Sequence, residues 1–132
     1  MKLKANDLRI GNYIKSNNGI YKVAIISNPD CIIEQVMGGC IESHIDLLTP
    51  IPLDADLLVK CGFVFADEDR CYLPYGFMPR AGFKIELGKH TDLKHETYWH
   101  IYCANYPVDI YYLHQLQNLY YALTAQELPV TL

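Results

Sequence analysis

The chain has 132 residues, of which 51% are hydrophobic and 20% charged, and its formal net charge is −4. That length and balance suit a well-buried globular fold and exclude a disordered chain. The negative balance supplies no bulk field for coating nucleic acid, no apolar run reaches membrane-spanning length, and Met1 to Asp7 lacks the apolar stretch of a secretory leader, so a cytoplasmic chain without membrane contact is expected.

The first part reads as β-rich. Tyr13–Ser16 and Ile20–Ile26 flank Asn17-Asn18-Gly19, whose residues tolerate the positive φ of a tight hairpin. Asn28-Pro29-Asp30 marks a second turn, Cys31–Val36 a third strand, Gly38-Gly39 a third turn and Cys40–His44 a fourth strand. Short strands at this spacing predict a small SH3-like barrel or meander over residues 8–49. Pro50 and Pro52 stop the sheet and set the boundary between a β-rich part, 1–49, and an α+β part, 50–132, expected to share one core.

A short helix is predicted from Ala55 to Cys61, with Asp54 as N-cap, Leu53 and Leu58 as a hydrophobic staple and Gly62 just past its end. Phe63–Phe65, Cys71–Leu73, Phe83–Leu87 and Tyr98–Cys103 read as strands, with an acidic turn at Asp67–Arg70 and a polar loop from Lys89 to Glu96. Trp99, Ile101 and Cys103 are expected to face the core.

The last element is the most distinctive. Ile110 to Gln126 has helical periodicity and contains no Asp, Glu, Lys or Arg. Leu113, Leu116, Tyr120 and Leu123 fall on one side, with Tyr112 and Leu119 beside them, while Tyr111, His114, Asn118 and Tyr121 fall opposite. Asp109 is placed to oppose the positive end of the helix dipole, and Thr124–Glu127 has the form of a capping box opening a second turn. A helix face turned to water usually carries charge. Amides and tyrosines instead suit either a buried network bonded to backbone or a contact surface, and His114, Gln117, Asn118 and Tyr121 are the expected partner-binding residues. The fold class expected is α+β, the barrel or meander being followed by a small antiparallel sheet packed with the long C-terminal helix.

Sites with specific chemistry are scarce. The chain has no GxGxxG, GxxxxGK or GxSxG motif. His95-Glu96 is followed by His100, one residue too late for a zinc-protease helix. His90, His95 and His100 recur every five residues, yet no cysteine or carboxylate completes a ligand set, so neither metal nor other cofactor is expected. The five cysteines, Cys31, Cys40, Cys61, Cys71 and Cys103, contain no CxxC pair and read as reduced, mostly buried residues. Cys103 with His114 is the pair that a small hydrolase would use. Tyr13 or Tyr21, with Arg9, Lys15 and Lys22, is the face that single-stranded nucleic acid would use. No catalytic residue is assigned.

The block Tyr112–Thr124 with Glu127-Leu128 resembles the C-terminal signature of a family of short, uncharacterised proteins from gut bacteria and their phages or prophages. Leu8–Tyr13, Ile51–Leu53 and Cys61–Phe63 are similar to that family's other recurring segments. The resemblance covers both ends and the middle, with a variable stretch from about Ala66 to Tyr106. It implies a mobile-element origin and carries no activity, cofactor or partner. The function expected is therefore a non-enzymatic interaction protein with a protein partner.

Overall fold

The computed structural model describes residues 1–17, 19–27, 30–35, 38–73, 85–101 and 108–132. The chain divides into two compact units, Met1–Pro52 with Tyr112–Leu119, and Leu53–Tyr111 with Tyr120–Leu132. The architecture is α+β, with two antiparallel sheets and a C-terminal helix.

The first unit contains β1 (Tyr13–Ser16), β2 (Gly19–Ser27), β3 (Asp30–Gln35) and β4 (Cys40–His44), paired in sequential order. Ile14 lies opposite Tyr21 and Val23 opposite Ile33, and all four are buried. Leu3, Leu8, Cys31, Ile45 and Leu48 complete that core. The uninterrupted run Val23-Ala24-Ile25-Ile26 breaks strand alternation, and the register shifts there by one residue. This bulge keeps Ile26 packed on the core and turns Ile25 outward, where it is 52% exposed. After β4 a 3-10 turn, Ile45–Leu47, leads to Thr49, which exchanges two backbone hydrogen bonds with Lys15 at 2.8 and 2.9 Å. Among the described residues the sheet stays open.

The second unit begins with α1 (Ala55–Lys60). Asp54 caps it by accepting the Leu57 N–H at 2.7 Å, and Leu53 and Leu58 are both buried, as a staple requires. At the other end Gly62 N–H donates to the Val59 carbonyl and Phe63 N–H to the Leu58 carbonyl, a Schellman arrangement. It needs a left-handed residue at Gly62, whose φ is +92°. Five strands follow in sequential order: β5 (Val64–Phe65), β6 (Arg70–Tyr72), β7 (Glu86–Thr91), β8 (Thr97–Ile101) and β9 (Val108–Ile110). One face buries Cys71, Leu87, Trp99, Ile101 and Ile110, with Phe65 set edge-on against Trp99 at 6.0 Å.

Several boundaries differ from the sequence expectation. Lys89–Thr91 belong to strand β7 and not to a loop, because the tight turn Asp92–Glu96 closes the hairpin at once. Asp92 Oδ1 accepts the N–H groups of Lys94 and Glu96, both at 2.9 Å, and His95 takes the positive φ, +63°. The final helix, α2, spans Leu113–Thr124, so Ile110 and Asp109 lie in strand β9 and Asp109 opposes no helix dipole. No helical turn starts at Thr124. Ala125 adopts φ +57° and ends the helix, while the Thr124 hydroxyl donates back to the Tyr120 carbonyl at 2.8 Å. Phe83 and Cys103 lie outside the described residues. No described helix is long and apolar enough to cross a membrane.

Candidate functional site

Leu113–Leu119, the first part of α2, belongs to the first unit, and its amides are used there. Gln117 is 1% exposed. Its Oε1 accepts the Tyr13 N–H at 2.9 Å and its Nε2 donates to the Gly11 carbonyl at 3.1 Å. Asn118 is half-buried and donates to the Asp7 carbonyl at 3.1 Å. Its Oδ1 accepts from Nδ2 of Asn12 at 2.8 Å. Asn12 is fully buried and its own Oδ1 accepts the Arg9 N–H at 2.7 Å. Each amide of Gln117 and Asn118 thus satisfies one donor and one acceptor of the segment 7–13, which runs irregularly before β1 and leaves those groups without a ladder.

The four expected partner-contact residues do not form one exposed patch. Gln117 and His114 are buried, Asn118 is half-buried and Tyr121 is 41% exposed. His114 stacks on Tyr112, with ring centroids 5.9 Å apart, and neither of its ring nitrogens finds a partner among the described residues. Burial holds its imidazole below the ordinary histidine range, with Asp7 acting in the opposite direction. Asn12 escapes sequence reasoning because a lone asparagine before a strand reads as a turn.

The second unit brings together residues that the sequence spaces apart. On the face of its sheet away from Trp99, His90 of β7 lies directly opposite Tyr98 of β8, with rings stacked at 5.5 Å. Tyr98 meets Tyr111, just after β9, at 5.4 Å. His100 stands edge-on to His90 at 6.0 Å and opposite Asp109. His100 donates from Nδ1 to Asp109 Oδ1 at 2.8 Å, the tautomer that a carboxylate acceptor selects. The Tyr111 hydroxyl donates to Asp92 Oδ2 at 3.2 Å. The Glu96 N–H is the main influence holding Asp92 below the usual carboxylate range, helped by Lys94 N–H and by Tyr111. Burial, and then the hydrogen bond to Asp92, raise the Tyr111 phenol. The result is a row of three rings, from β7, β8 and the residue after β9, flanked by an imidazole–carboxylate pair. Two of the three regularly spaced histidines join it, while His95 sits exposed in the turn.

Other sequence candidates fare differently. Tyr21 is buried, and Lys22 Nζ lies 5.7 Å from the centroid of the half-buried Tyr13 ring. In the first unit Lys2, Lys4, Arg9, Lys15 and Lys22 are balanced by Asp7, Asp30, Glu34, Glu42 and Asp46, so the net charge of −4 resides in the second unit. Burial raises the Cys31 thiol and pushes those of Cys61 and Cys71 up to about 12. The Cys103–His114 pair lies outside the described residues through Cys103. Among the described residues no group of three His, Cys, Asp or Glu is placed to hold a metal ion. A cleft of about 640 Å³ in the first unit is lined by Lys2, Lys4, Asn6, His44 and Asp46, but its Lys2–Asp46 pair is 3.7 Å apart and exposed on both sides.

No family model matches the chain, and no curated protein or solved structure matches it.

Proposed function

We propose that the chain is a non-enzymatic interaction protein that contacts a protein partner through the outer face of its second sheet. One observation carries this reading: the ring row His90–Tyr98–Tyr111, beside the His100–Asp109 pair, stands on the side of the sheet opposite its core. Tyrosines offer broad, stiff contact area with a polar tip, the chemistry that anchors protein interfaces. The helix amides, by contrast, already spend their hydrogen bonds on the segment 7–13. A cytoplasmic setting and a phage or mobile-element origin belong to the same proposal, supported by the sequence resemblance of the C-terminal block.

An SH3-like reading of the first unit is part of it too. The return of Thr49 to the open edge of β1 after a 3-10 turn supports it, since that connection carries a curled meander toward closure. In this reading the first unit is the scaffold and the second sheet the contact surface.

The test is site-specific photo-crosslinking in a bacterial host carrying a related phage. A photoreactive residue replaces Tyr98, and a second variant carries it at Leu47, exposed in the first unit. A discrete protein adduct at position 98 that is absent at 47 is expected. Adducts at 47 alone, or none at 98, overturn the reading.

A further inference from the structure

We propose that the ring row of the second sheet is a docking site for an arginine side chain of the partner. This rests on the interaction reading above and adds the chemistry recognised. Three features converge. First, Tyr98 and Tyr111, with centroids 5.4 Å apart and planes tilted by 32°, supply aromatic surface of the kind against which a planar guanidinium packs. Second, Asp109 stands at the end of the row with its side chain 52% exposed. One of its oxygens accepts the His100 N–H, and the other has no partner among the described residues, so it is open to a guanidinium N–H donor. Third, the charge is complementary: the second unit carries the net −4, and Asp92 and Asp109 flank the rings.

On this face Arg70 stands at the other end of the sheet. Arg70 of β6 lies opposite Gly88 of β7, which lies opposite His100 of β8, which lies opposite Asp109 of β9. An incoming guanidinium is therefore directed to the β8–β9 side, away from Arg70. Arginine is favoured over lysine because its flat, weakly hydrated head stacks and forks, whereas an ammonium keeps its water. Phosphate-bearing partners are disfavoured by the two carboxylates.

The experiment is a backbone-amide NMR titration of the full chain with the peptide Arg-Gly-Arg-Gly-Arg, its lysine and glutamine analogues, and spermidine. The arginine peptide is expected to shift Tyr98, His100, Asp109 and Tyr111 most, and to bind more tightly than either the lysine peptide or spermidine. Asp109→Asn keeps an acceptor for His100 while removing the charge, and is expected to weaken binding about fivefold. Glu68→Gln, in the acidic turn after β5, is expected to leave it unchanged. Equal weakening by Glu68→Gln means bulk attraction and overturns the proposal, as does lysine-peptide or spermidine binding as tight as arginine. Equal shifts with the glutamine peptide overturn the arginine assignment while leaving the contact surface standing. No shift at the row with any probe overturns the proposal, and the crosslink at position 98 then decides separately whether the surface has a partner.

Discussion

Asn12 and Asn118 are 106 residues apart in the chain and joined by a 2.8 Å bond between side-chain amides. Asn12 has no solvent exposure, so once Asn118 is removed its amide keeps a polar group without water to replace the loss. Asn118→Ala is expected to cost about 1–3 kcal/mol. The double variant with Asn12→Ala is expected to cost clearly less than the sum of the two singles, with a coupling of roughly 1 kcal/mol or more. Urea unfolding of the four proteins measures it, and strict additivity sinks the network.

Gln117 holds two backbone groups at once, the Tyr13 N–H and the Gly11 carbonyl. Gln117→Leu fills much of the same space but strands both, and a loss of about 2–4 kcal/mol is expected. Gln117→Glu is expected to fail differently, because the carboxylate retains the acceptor for Tyr13 but meets the Gly11 carbonyl with no donor. Hydrogen exchange at Tyr13 separates the two: fast in the leucine variant, protected in the glutamate one.

His114 makes stability depend on pH. Burial lowers its folded-state pKa, so the unfolded chain takes up the proton first as the solution is acidified. The stabilisation from the neutral imidazole is complete above the unfolded value of about 6.5 and is lost as pH falls through the lowered folded value. His114→Leu removes two unpartnered nitrogens and is expected to change stability by less than about 1 kcal/mol at pH 8. Its gain relative to the parent is expected to widen between pH 7 and pH 5. Parallel slopes for the two proteins over that range contradict the assignment.

The thiols divide by burial. Cys40 is exposed, while Cys31, Cys61 and Cys71 are buried, the last two with pKa values near 12. Iodoacetamide at pH 8 is expected to alkylate Cys40 well before Cys31, Cys61 and Cys71, which it reaches only on unfolding. Peptide mass mapping over time reads this directly, and early labelling of Cys61 or Cys71 refutes the packing described.

Trp99 is the single tryptophan and is 1% exposed against Phe65 and the sheet core. Its emission is expected to be blue-shifted and to report the second unit alone. Trp99→Ala is expected to cost about 3–5 kcal/mol. A native spectrum already resembling free indole would contradict the burial.

The apolar periodicity of α2 was readable because burial of Leu113, Leu116 and Tyr120 follows directly from a 3.6-residue repeat. The burial of Gln117 was not, since an amide carries no hydropathic signal and its partners, Gly11 and Tyr13, sit more than a hundred residues away. Asp54 and Gly62 marked the ends of α1 well, because capping is local chemistry. The meeting of His90 with His100 stayed hidden for a different reason. It depends on hairpin register, and the turn Asp92–Glu96 places a histidine, His95, where positive φ ordinarily signals glycine. Without that signal the sequence pattern ends the strand before Lys89. The open sheet of the first unit was legible as a meander, strand by strand, through its turns.

The division of α2 between the units has a consequence for synthesis. When residue 52 leaves the ribosome, the first unit already has its four strands but not the side chains that satisfy Asn12 Nδ2, the Tyr13 N–H and the Gly11 carbonyl. Those arrive only with residues 117 and 118, after every strand of the second sheet has been made. The N-terminal unit, although translated first, therefore stays incomplete until residues 117 and 118 have been made. A chain released early, anywhere before α2, would present an unfinished edge to folding and quality-control machinery.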